Sequence, residues 1–89
     1  MIIELTKEIN GKKEFDIDVN SLTGADLIKA EKQVRAMGDV SPSVFLSMKF
    51  QAVLAAKLMD VTVAELEQLP AVDFRNVVLP VAGFLLGQA

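Results

Sequence analysis

Between Ile3 and Val19 the chain alternates. Glu4 separates Ile3 from Leu5, and Asp16 and Asp18 separate Phe15, Ile17 and Val19, the period-2 pattern of strands with one covered face. Asn10-Gly11 between the two runs marks a turn, so residues 1–19 read as a β-hairpin. The parity of the apolar positions constrains that turn. A two-residue Asn-Gly loop would set Leu5 against Asp16 and Ile3 against Asp18, because one step of register moves every side chain to the other face. A three-residue loop of Ile9, Asn10 and Gly11, with Gly11 left-handed, sets Leu5 against Phe15, Ile3 against Ile17 and Glu8 against Lys12. The expected hairpin has that loop, one apolar face, and a polar face bearing Glu4, Glu14, Asp16 and Asp18.

From Leu22 the period changes to that of helices. Thr23 reads as an N-cap with Asp26 completing a capping box, and Leu22 and Leu27 are spaced as a hydrophobic staple. Leu27, Ala30, Val34 and Met37 then fall on one stripe, and Gly38 suits the position just past a helix end, predicting a helix over 24–37. Ser41 with Pro42 at the first helical position opens the second helix, VFLSMKFQAVLAAKLM, which is apolar round most of its circumference and therefore expected to be covered on several sides. Thr62 and Glu65 form a second capping box on a short helix. Leu69-Pro70 breaks it, since a residue preceding proline avoids helical geometry. The last helix runs from about Ala71 to Leu86, with Phe74, Val77, Val78, Val81, Phe84 and Leu85 at helical steps. Pro80 cannot donate to the Asn76 carbonyl, and its ring crowds that turn, so a kink is expected. The predicted class is α+β: an N-terminal β-hairpin followed by four helices, the last kinked at Pro80. One domain spans 1–89, with the hairpin at 1–19 and the helical part at 22–87.

Composition sharpens this picture. In a chain of 89 residues, 52% are apolar without counting glycine, against about 45–50% with glycine in average domains. So short a chain buries only about 60–65% of its unfolded surface, so apolar side chains exceed what its interior holds. The closing stretch NVVLPVAGFLLGQA, Asn76 to Ala89, has no charged side chain. It is too short for a membrane span, which needs about 20 apolar residues, and is broken by Pro80, Gly83 and Gly87. Met1-Ile2-Ile3-Glu4 lacks the basic start of a signal peptide, so no membrane association and a cytoplasmic location are expected. A net charge of −3 argues against binding a phosphate backbone. Lys29, Lys32 and Arg35 gather on one predicted helix, where Asp26 and Glu31 balance them.

Catalytic chemistry has little to work with. The chain contains no His, Cys, Tyr or Trp, which removes the imidazole and thiol groups used most often as bases, nucleophiles and metal ligands. Glu4, Asp16 and Asp18 could be pictured around a divalent cation, but a hairpin's polar face is ordinarily just solvated. The reading is non-enzymatic, with no metal and no cofactor. Asn20-Ser21-Leu22 resembles the Asp-Ser-Leu of acyl carrier proteins, whose serine bears a phosphopantetheine arm. Here Asn20 replaces the aspartate, a hairpin stands where the family has a long helix, and basic residues follow.

Taken together, LTGADLIKAEK, SVFLSMKFQAVLAAKLM, VTVAELEQLPAVDF and VVLPVAGFL, in that order between Leu22 and Leu86, resemble the small Mu-like tail assembly chaperones of tailed bacteriophages and prophages. The resemblance implies a viral protein that binds the tape measure protein and keeps its apolar helical stretches soluble while the tail tube assembles, in the cytoplasm of the bacterial host. It further implies a longer form made by ribosomal frameshifting, whose added segment recruits the major tail protein. Phe84-Leu85 is compatible with a thymidine run at such a site. An unrelated helical interaction or dimerisation module is the alternative reading. On the chaperone reading the surplus apolar side chains meet clients or other copies in a homo-oligomer. Phe45, Met48, Phe50, Phe84 and Leu85 are the candidate surface, with methionines adapting to varied partners.

Overall fold

Two consecutive left-handed residues shape the hairpin. In the computed structural model, which describes residues 1–87, Asn10 and Gly11 have φ of 51° and 82°, so they form the two central positions of a type I′ turn. The last two residues of the uncharged closing stretch, Gln88 and Ala89, lie outside the described residues. Strand β1 (Ile2–Ile9) pairs antiparallel with β2 (Lys12–Asp16), Ile9 opposite Lys12 beside the turn and Ile3 opposite Phe15 further along. The expected three-residue loop is therefore corrected: the turn has two residues. What restores apolar against apolar is an irregularity in β1 between Glu4 and Ile9, where β1 advances five residues while β2 advances two, from Lys12 to Glu14. An odd register shift returns Ile3, Leu5, Phe15 and Ile17 to one buried face.

The irregular stretch needs partners for its backbone amides, and the last helix supplies them. Asp73 accepts from the Thr6 amide at 2.9 Å (Oδ1) and 3.1 Å (Oδ2), from the Lys7 amide at 3.0 Å and from the Thr6 hydroxyl at 2.9 Å. These donors, the Thr6 amide foremost, hold the Asp73 carboxyl below its usual range. Asp73 is completely enclosed, and among the described residues no buried side-chain polar atom lacks a partner.

A 3-10 turn at Val19–Ser21 leads to helix α1 (Gly24–Ala36), which starts at Thr23 with both reciprocal bonds of the capping box to Asp26. Gly38, at φ 95°, ends it as expected, with the Asp39 amide bonded back to the Val34 carbonyl at 3.0 Å. The second start differs from expectation. Ser41 and Pro42 do not open a helix; a 3-10 turn at Val44–Leu46 intervenes, and α2 (Met48–Met59) is capped by Ser47. The reason is Asp39, which accepts from the Ser41 amide at 2.8 Å and from the Ser47 hydroxyl, tying the connection into a loop. Helix α3 (Val63–Glu67) has its capping box between Thr62 and Glu65. Helix α4 (Ala71–Leu85) contains Pro80 without ending there.

The fold is thus an α+β arrangement, a hairpin followed by four helices. Helix α2 is its axis: every residue from Phe50 to Ala56 is buried, with α1, α3 and α4 packed around it and β1 packed on α4. Ala30 and Val34 come from α1, Leu66 from α3, and Val77, Val78 and Val81 from α4, while Met37 on the predicted α1 stripe is exposed. Among the described residues no helix is long and apolar enough to cross a membrane.

Candidate binding groove

The core leaves one side of α4 uncovered. Between the start of α2, the end of α3 and α4 lies an open groove of about 640 Å3, its apolar lining formed by Met48, Leu69, Phe74, Val78 and Leu79. Gln51, Glu67 and Arg75 add polar groups to it, and a recess of about 230 Å3 that also involves Met48, Glu67 and Phe74 extends it toward Val63. Local chemistry explains each position. Ser47 caps α2 through the Phe50 amide at 3.3 Å, which swings Phe50 inward and leaves Met48, in the first turn, pointing outward. Pro70 separates α3 from α4 and directs Leu69 inward. On α4 the step from Asp73 through Val77 to Val81 faces the core, so Arg75 and Leu79 emerge on the opposite side.

A second cavity, of about 630 Å3, lies between α1 and α2, and charged groups stand in its lining. Lys57 Nζ bonds Asp26 at 3.0 Å there, and Lys29 and Gln33 also line it. Thr23's amide and then Lys57 hold the Asp26 carboxyl low. A cavity that carries the Lys57–Asp26 ion pair and Lys29 offers less to an apolar partner than the groove on α4, whose lining is mainly apolar and where Glu67 and Arg75 make no ion pair among the described residues.

The five sequence-predicted surface residues do not form one surface. Met48, 64% exposed, lines the groove. Phe45, 38% exposed, stacks on Phe50 with ring centroids 5.8 Å apart, and its carbonyl accepts from Gln51 Nε2 at 3.0 Å. Phe50 is a correction: it is fully buried at the centre of the core, because the Ser47 cap starts the helix later than expected and turns this ring inward. Phe84 and Leu85 are half-buried, Leu85 against the core, and neither lines the groove. Leu69, Phe74, Val78 and Leu79 of the groove lining were missed, and so was the exposed line of Val72, Leu79 and Leu86. The signal of that line was available, since its residues stand seven apart and fall off the Phe74–Val77–Val81 stripe.

Other candidates resolve locally. Ser21 lies in the 3-10 turn before α1, and its hydroxyl donates to the Asp18 carbonyl at 2.7 Å. The hairpin acids do not converge: Glu4 stands directly across from Glu14, and no cluster of three metal-ligating side chains occurs among the described residues. On α1, Arg35 turns toward the loop, donating to the Asp39 and Ser41 carbonyls at 3.1 and 2.8 Å. No family model, curated protein or solved structure matches the chain.

Proposed function

We propose that this chain is a non-enzymatic tail assembly chaperone of a bacteriophage or prophage, acting in the cytoplasm of the bacterial host. Its client is the tape measure protein, and the client's apolar helical stretches dock in the groove between α2, α3 and α4. The observation that carries this reading is the groove itself: an apolar trough beside Glu67 and Arg75, which make no ion pair among the described residues, on a chain without imidazole or thiol chemistry. An amphipathic helix laid in such a trough buries its apolar face and offers its flanking charges to the rim. Met48 is unbranched and polarisable, which suits a surface that must accept non-identical helical segments. The sequence resemblance from Leu22 to Leu86 supports the same client. On this reading a frameshifted longer form would add the contact to the major tail protein.

Co-expression with a tape measure fragment is the direct test. The fragment should be soluble with the parent chain and insoluble with a Met48→Asp variant that keeps its helicity. Equal insolubility with and without the parent chain would overturn the client assignment.

A further inference from the structure

On α4 and at its C-cap, Val72, Leu79 and Leu86 stand seven residues apart and are 45%, 55% and 46% exposed. A seven-residue apolar step keeps one line of a helix facing a single neighbour, and Arg75 and Ala82 occupy the intermediate positions of the same 3.5-residue period. This line lies opposite the stripe of Asp73, Val77 and Val81 that closes the core.

We propose that a second copy of this chain covers the line, α4 against α4, antiparallel about a twofold axis at Leu79. A twofold interface must be complementary to itself, and this line is. With Leu79 on the axis, Val72 meets the partner's Leu86 at both ends. The flanking pairs set large against small: Arg75 over the partner's Gly83, and Asn76 over the partner's Ala82. Such pairs let two helices approach to about 8–10 Å between axes.

Charge selects the same arrangement. Arg75 makes no ion pair among the described residues, and α4 has no basic residue in its own last turn. Antiparallel packing brings each Arg75 to the partner's C-terminal turn, where open carbonyls and the helix dipole favour a cation. The area is commensurate. With Met48 beside it, the line exposes on the order of 400 Å2 of apolar surface per copy, about half of the roughly 800 Å2 per partner in a standard interface whose area is little more than half apolar.

Dimer formation stands independently of the client reading, although Arg75, Leu79 and Ala82 also line the groove, so a second copy and a helical client exclude each other there. The test uses the chain alone. Sedimentation equilibrium should give twice the 9.6 kDa chain mass for the parent protein. Leu79→Glu, which sets two carboxylates on the axis, should weaken association at least tenfold with unchanged helicity. Because the chain has no cysteine, single-cysteine variants report register cleanly. Leu79→Cys should oxidise to a disulfide-linked dimer, whereas Val72→Cys should not link to itself, its sulfurs being about 20 Å apart along the axis against a Cα limit near 7 Å. A parent chain that stays monomeric up to about 1 mM overturns the proposal. So does self-linking at Val72 equal to that at Leu79, which would mean parallel packing.

Discussion

Phe50 and Met48 stand two residues apart on α2 with opposite surroundings, and truncating each to alanine separates core from groove. Phe50 has no exposed surface and its ring stacks on Phe45. Removing a phenylalanine from such a site costs about 3–5 kcal/mol, the lost transfer energy plus the cavity left behind. A chain of 89 residues, at about 0.05–0.15 kcal/mol per residue, is stable by only about 4–13 kcal/mol. Phe50→Ala therefore removes between a quarter and all of the stability. For a domain of this size that lowers the melting temperature by about 12–40 °C. Met48, mostly in water already, loses little on truncation, and Met48→Ala should stay within about 0.5 kcal/mol of the parent.

Urea unfolding followed by far-UV circular dichroism reads both variants on one scale. A Phe50→Ala protein with a midpoint close to the parent's would place Phe50 outside the core, and the inward turn imposed by Ser47 would be wrong. A Met48→Ala protein destabilised by more than about 2 kcal/mol would mean that Met48 is packed and the groove closed. The pair also calibrates the client assay, because Phe50→Ala should lose activity through unfolding whereas Met48→Asp should lose it while folded.

Further outcomes follow from the same contacts. Asp73→Asn presents one oxygen and an NH2 group to three donors on Thr6 and Lys7, so one donor loses its acceptor, and a melting temperature lower by roughly 10 °C or more is expected in calorimetry. Stability should also fall in acid. Asp39 is held at about 2 by its bonds from Ser41 and Ser47, and Asp26, Glu65 and Asp73 are likewise lowered. A carboxyl lowered in the folded state contributes fully above its unfolded value, 3.8 for Asp39, and that contribution disappears as the pH drops through the folded one. Urea midpoints measured from pH 5 to pH 2 should therefore decline, and less steeply for Asp39→Asn. On the hairpin, Glu14→Lys replaces a like-charge pair across from Glu4 with an opposite one and should raise stability by about 0.2–1 kcal/mol in the same titration. Leu85→Asp should lower helicity, because Leu85 packs on the core, whereas Leu79→Glu should not.

The parts of the fold legible in the sequence were those set by neighbours a few positions apart. Both capping boxes, Thr23 with Asp26 and Thr62 with Glu65, form as their three-residue spacing requires. The hairpin shows where local reasoning ends. Parity correctly demanded apolar opposite apolar, but two solutions satisfy parity, a longer loop or an irregular strand. The second holds here because Asp73, more than sixty positions away, receives the amides that the irregularity frees. An acid in the first turn of a helix ordinarily reads as a companion of the helix dipole. Its place on the stripe with Val77 and Val81 was the sign that this one is buried.

The same helix explains why the candidate surface was only partly legible. Counting apolar residues gives a surplus but no direction, and α4 carries apolar residues on two opposite faces. Asp73, Val77 and Val81 advance by four, and they close against α2 and β1; Val72, Leu79 and Leu86 advance by seven, and each leaves about half of its surface exposed. Phe84 and Leu85 fall between these lines and are half-buried. A step of four and a step of seven separate on a helix by a fixed angle, so period, more than hydrophobicity, sorts an interior from an interface. On that basis a charge placed at residue 79 and one placed at residue 81 should have opposite consequences, the first for assembly and the second for folding.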